Sequence, residues 1–92
     1  MTDILERRLV PSNEALESAV GDETVILHLK NSTYYGLDVV GTQIWALLKE
    51  GLTPREICDR LAIEYEISRE LIEVDARKFL SDLAAQDILV DA

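Results

Sequence analysis

Apolar positions alternate in the first third of the chain and recur every three to four residues in the remainder. Thr24 to Lys30 reads TVILHLK. Val25, Leu27 and Leu29 alternate with Ile26, His28 and Lys30, which predicts a strand with the first set facing inward and Ile26 as an apolar exception on the outer side. Asn31-Ser32 is turn chemistry. Thr33-Tyr34-Tyr35-Gly36-Leu37 follows as a second strand, with Thr33, Tyr35 and Leu37 on one face and Tyr34 on the other. The two runs lie close enough to form a hairpin. A further strand comes from Leu9-Val10 or from Ala15 to Val20, the latter joined through a turn at Gly21-Asp22.

Past these runs the pattern is helical. Asp38 caps a helix running to about Glu50, with Ile44, Trp45, Leu47 and Leu48 as its apolar stripe and Gly51 where a left-handed residue ends a helix. Thr53-Pro54-Arg55-Glu56 is a start signal: Thr53 caps, Pro54 fits the first turn, and Glu56 closes a capping box. Ile57, Cys58, Leu61, Ala62 and Tyr65 then share one face, and Ile63 points off it. About two residues lead on to a third helix, capped by Ser68 and reaching about Asp87. Its core stripe is Ile72, Ala76, Phe79, Leu80 and Leu83. Ile88-Leu89-Val90 ends the chain as a short strand or a packed tail. The expected architecture is α+β: a small antiparallel sheet of about three strands followed by three helices on one sheet face, in winged helix-turn-helix order. Residues 1–92 are expected to form a single domain.

Charge narrows the partners. Eighteen acidic residues against nine basic ones give a formal net charge of −9. That balance repels nucleic-acid phosphates and anionic lipid heads, so neither nucleic acid nor membrane is expected as a partner. A lone cysteine, Cys58, forms no intrachain disulfide and fits a reducing cytoplasm. The N-terminal MTDILERRLV lacks the apolar stretch of a signal peptide.

Catalytic chemistry is not legible. The single histidine, His28, falls on the outer side of a predicted strand and reads as a surface residue. No serine or cysteine has a second histidine to orient it. Cys58 and His28 lack further Cys or His residues to complete a metal site, so neither metal nor cofactor is expected. Cys58 and Trp45 read as core residues. Two features remain once the core is assigned. The Thr33–Leu37 strand is the last before the helices; it either lies at a sheet edge, offering unpaired backbone groups to an extended peptide, or is paired and covered. On the third helix, Leu71, Asp75, Lys78 and Asp82 recur at i, i+4, i+7 and i+11 beside the core stripe. Leu71 and Val74 leave apolar surface off the core. This row is one wall of a groove if it faces the strand, and otherwise an ordinary charged face. Ile26, Ile63 and Val74 are either a second interface or scattered surface apolars.

Taken in order, Tyr35-Gly36-Leu37-Asp38, Gly41, Ile44-Trp45, Leu47-Leu48, Gly51, Thr53, Glu56-Ile57, Leu61, Tyr65, Asp75, Phe79-Leu80 and Leu83 resemble the PqqD family, from about Thr24 to Leu89. The resemblance implies a peptide chaperone, or recognition element for ribosomally made and modified peptides. It also implies that a precursor leader adds as a strand to the third strand and lies against the third helix. Here that groove would comprise Thr33, Tyr34, Tyr35, Gly36 and Leu37 with Leu71, Val74, Asp75, Lys78, Phe79 and Asp82. The Tyr34-Tyr35-Gly36-Leu37 form looks like the stand-alone leader-binding subunits of lasso-peptide clusters, where a separate cysteine-protease-like subunit cleaves the leader. Asp38 stands where the family often has Asn; both cap helices.

The expected function is therefore non-catalytic: binding a precursor leader peptide and presenting it to a leader peptidase or other maturation enzyme. An alternative within the family is delivery of the pyrroloquinoline quinone precursor to a radical enzyme. Outside it stand a winged-helix DNA binder, which the acidic third helix argues against, and a small acidic carrier or assembly subunit; for a carrier, Ser68-Arg69-Glu70 and Ser81-Asp82-Leu83 are poor attachment sites.

Overall fold

The computed structural model describes residues 3–92. The first two residues of the stretch read for a targeting signal lie outside them. A 3₁₀ turn at Ile4–Glu6 opens the described chain, with Asp3 accepting the Leu5 N–H at 3.3 Å. Five strands follow the chain order as β1 (Leu9–Pro11), β2 (Ala15–Val20), β3 (Glu23–His28), β4 (Thr33–Leu37) and, after the helices, β5 (Leu89–Asp91). The helices are α1 (Val39–Lys49), α2 (Pro54–Glu64) and α3 (Arg69–Ala85).

Both N-terminal strand candidates form, but they join different sheets. β2, β3 and β4 make an antiparallel sheet in that order, while β1 pairs antiparallel with β5. Ile88 and Leu89 are buried, so the C-terminal apolar run is drawn back onto the core and finds Leu9–Pro11 as its partner. The tight turn between β2 and β3 uses Gly21 at φ +63°, a left-handed conformation open to glycine at little cost.

The facing of β3 is the reverse of the sequence expectation. Thr24, Ile26 and His28 point into the core, with His28 only 2% exposed, and Leu29 is exposed. Pairing decides this. β4 buries Leu37 and half-buries Tyr35 and Thr33, and their register partners are Thr24, Ile26 and His28. Residues opposite each other across a ladder share a face, so β4 sets the facing of β3. His28 is therefore no surface residue. Its Nδ1 accepts the Asn31 N–H at 3.3 Å and so ties down the hairpin turn. Ile26, fully buried, is no surface apolar either.

The helices follow their local signals closely. Asp38 accepts the Gly41 N–H at 2.8 Å to start α1, and Gly51 ends that turn at φ +97°. The Thr53 capping box forms in both directions. Ser68 occupies the N-cap position of α3, but its side chain makes no capping bond. Instead Arg69 reaches back to Asp59 and to the Arg55 carbonyl, fixing α3 against α2. The link between α2 and α3 is four residues, 65–68, rather than two, and it turns through Glu66 at φ +52°. Trp45, Leu48, Ile57, Leu61, Leu80, Leu83 and Ile88 close the core between the helices and the inner face of the sheet. No helix among the described residues is long and apolar enough to cross a membrane.

Candidate functional site

Among the described residues β4 has one neighbouring strand. It pairs with β3 along its whole length and stands at the end of the β2–β3–β4 sheet. Its other edge therefore presents backbone N–H and C=O groups not used by the sheet. Along this strand Tyr34 and Gly36 point outward and Tyr35 inward.

The chain leaves β4 at Leu37 and enters α1 through Asp38, so the end of the free edge runs into the first turn of α1. There lies a half-open cleft of about 340 Å³. Its walls come from three helices: Val40, Gly41 and Ile44 of α1, Leu61 of α2, and Ile72, Ala76 and Phe79 of α3. Tyr65 and Ile67 close the far side from the α2–α3 link, and the carboxylates of Asp38 and Asp75 stand on its polar rim. Tyr65 is held by a hydrogen bond from its hydroxyl to Gln43 at 2.6 Å. Gly41 has a steric role. A Cβ there would meet the Phe79 ring at 3.1 Å and Asp38 Oδ1 at 3.3 Å, so glycine lets α1 and α3 approach and seats Phe79 in the cleft wall.

These contacts show which flank of α3 faces the cleft. Asp75 and Phe79 lie at the cleft, and Asp82, one turn beyond, sits close enough to act on Tyr35. Burial pushes the Tyr35 phenol above its ordinary value, and the Asp82 carboxylate adds to the shift. Of the sequence-predicted groove members, Asp75 and Phe79 thus line the cleft and Asp82 lies near Tyr35, while Leu37 is buried in the core. Leu71 and Val74 are both 61% exposed, and Lys78 is exposed beside them. Leu71 and Lys78 stay on the outer shoulder of this flank, and Val74 lies farther round toward solvent. The opposite flank of α3 is occupied: Glu73 pairs with Arg69 at 2.9 Å and with Arg77 at 3.4 Å, and Arg77 reaches Asp3 at 2.7 Å.

Sequence reasoning missed the cleft residues supplied by α1 and by the α2–α3 link. One signal was available for Gly41: glycine in the first turn of a helix, with no left-handed φ to require it, marks a close approach. Ile67 gave none, since an apolar residue just before a cap reads as a helix staple. Cys58 lies in the core, and burial pushes its thiol above the ordinary value, which makes it a poor nucleophile. Among the described residues no cluster of three metal-ligating side chains occurs.

The family model of coenzyme PQQ synthesis protein D (PqqD) matches residues 23–89, which spans β3 to the start of β5. The chain belongs to the PqqD family. Among solved structures, TbiB1 in complex with the TbiA(beta) leader peptide is 44% identical to this PqqD-family chain. The match covers 87% of this chain and 93% of the other, with a TM-score of 0.82. A lasso peptide synthetase B1 complexed with the leader peptide shares the fold at 20% identity and a TM-score of 0.83, covering 90% of this chain and 98% of its own. No curated protein sequence matches.

Proposed function

We propose that this PqqD-family domain binds the leader segment of a ribosomally made precursor peptide as an extra antiparallel or parallel strand on β4. It holds the leader for a maturation enzyme, with a lasso-peptide leader peptidase as the favoured partner. The observation that carries this reading is the free edge of β4 leading into an apolar cleft. The 44% identical relative, whose structure is a leader-peptide complex, supports it independently.

The division of labour follows from the geometry. Main-chain groups of β4 supply sequence-tolerant pairing, and the cleft supplies selectivity. An apolar or aromatic leader side chain fits between Ile44, Ile72 and Phe79. A polar or basic tip is matched by Asp75 at the rim, and Asp82 favours a basic leader residue farther along. Tyr34, Gly36, Leu71, Val74 and Lys78 complete the contact surface at its outer margin. The domain acts without catalysis: His28 is buried at the end of β3 and Cys58 in the core. Its place is the cytoplasm, where a single buried thiol stays reduced.

The test separates main-chain pairing from side-chain contact. A synthetic leader is compared with versions carrying N-methyl groups at alternate residues in each of the two phases. One phase is expected to lose binding by at least about tenfold, since each blocked bond costs roughly 1 kcal/mol or more and the methyl groups also clash with the strand. The other phase binds nearly as the parent. Equal affinity for both phases contradicts strand addition.

A further inference from the structure

The β2–β3–β4 sheet has two outer edges, and they are not alike. Among the described residues β2, like β4, pairs with β3 alone. Each edge therefore offers main-chain groups to a further strand. β4 reads TYYGL and has no charged side chain. β2 reads ALESAV, and its one charged residue is Glu17.

Glu17 points inward. Its register partner is Ile26, which is fully buried, and residues opposite each other share a face. A carboxylate on the inner side of a strand is costly unless it is paired. Here α1 supplies the partner. Lys49 lies in the last turn of α1, where a cation suits the helix C-terminus, and it donates to both Glu17 oxygens, at 2.7 and 2.8 Å. Lys49 holds the Glu17 carboxyl below its ordinary range. The buried Trp45 indole N–H, which has no partner at full bonding distance, adds to the effect. Each side chain of the pair remains 41% exposed. With β3 on one side and α1 beneath, the free edge is a side left open to water. On the other face of β2, Leu16 is 56% and Val20 59% exposed. An edge strand with two such residues is adhesive unless something opposes pairing, and an inward-pointing charge is one device that does.

We propose that the Glu17–Lys49 pair guards the β2 edge, so that an incoming strand adds at β4 alone. The inference deepens the leader-binding reading above and rests on it. A strand laid beside β2 sets an inward side chain about 5 Å from Glu17. It strips water from the ion pair and gives no new partner in return, which disfavours an apolar newcomer. The same apolar side chain on a strand beside β4 is directed to the cleft side of the sheet. Glu17 and Lys49 thus set which edge is used by exclusion, without touching the leader. The guard also keeps β2 of a second copy from pairing with β2 of the first.

The test uses the full chain and the synthetic leader. E17V combined with K49M removes the pair and leaves the net charge at −9, so overall repulsion is unchanged. An exposed ion pair adds little to stability, so the fold is retained. E17T with K49Q is a milder second variant expected to move in the same direction. Self-association is measured by sedimentation equilibrium, and the edge involved by hydrogen exchange. The apolar variant is expected to self-associate at least about tenfold more tightly than the wild type, with new protection in Ala15–Val20. Its leader affinity stays within about twofold, because β4 lies about 10 Å away across β3. The charge-swapped E17K with K49E keeps a pair and behaves as the wild type. Two results overturn the guard: variants no more associated than the wild type, or association without protection of Ala15–Val20. A swapped pair that associates as strongly as the apolar variant overturns it too. Failure of the wild-type domain to bind any leader overturns instead the reading on which the guard rests.

Discussion

Gly41 is the residue on which the cleft turns. It lies in the first turn of α1, where Phe79 packs across the space a side chain would fill. Alanine there gains backbone entropy of about 0.5–1 kcal/mol in a helix, and the half-buried Phe79 ring has the cleft beside it into which to yield. Gly41→Ala is therefore expected to shift thermal stability by less than about 1 kcal/mol while weakening leader affinity severalfold, because the displaced ring narrows the cleft. Calorimetry and a leader titration on the same variant check both halves. A large loss of stability with unchanged affinity would show that Phe79 is a fixed core residue and not a movable wall. Residue identity alone carried part of this. Asp38, Thr53 and Gly51 announced their roles because a cap or a left-handed turn depends on local chemistry. His28 did not, since its burial depends on what β4 places opposite it.

At the scale of elements, local period and capping were enough to locate α1, α2 and α3, because each helix closes its own hydrogen bonds and shows its core stripe directly. β3 was located but turned over. Its core face carries Thr24 and His28 beside Ile26 while its outer face carries Val25 and Leu27, so alternation pointed the more polar side outward, and only the register with Tyr35 and Leu37 decides. The pairing of β1 with β5 joins the two ends of the chain and leaves no local trace. The contact of the 3₁₀ turn with α3 was likewise invisible. Arg77 of α3 donates to Asp3 at 2.7 Å, and this bond, helped by the Leu5 N–H, lowers the Asp3 carboxyl from an ordinary 3.8 to about 2. A depressed carboxyl stabilises the fold above its unfolded value and ceases to do so as pH falls through the folded one. The contribution is thus whole above about pH 4 and fades toward pH 2. Replacing Arg77 with glutamine is expected to flatten the stability profile across that window, as read by urea unfolding at successive pH values. A profile identical to the wild type would show that the Asp3–Arg77 pair adds nothing. The bond is exposed, so salt should weaken the same slope.

For the whole molecule, composition excluded more than it identified. The −9 charge argued against nucleic acid as a partner. Arg55 is paired with Glu6, Arg69 with Glu73 and Arg77 with Asp3. The order of strands and helices, and the matched spacing of Tyr35 to Leu83, made the family legible before any coordinates. The cleft was not, because its walls come from α1, α2, α3 and a four-residue link that no single periodicity relates. The free edge of β4 and this cleft meet at Asp38, and the central claim is that a leader strand occupies both. The most direct measurement is a titration of the isotope-labelled domain with the leader of its precursor, followed by amide shifts. The account predicts saturable shifts along Thr33–Leu37, at Gly41 and along Ile72–Asp82, with the β1–β5 pair and α2 beyond Leu61 little changed. Shifts confined elsewhere, or none at high leader concentration, would contradict it.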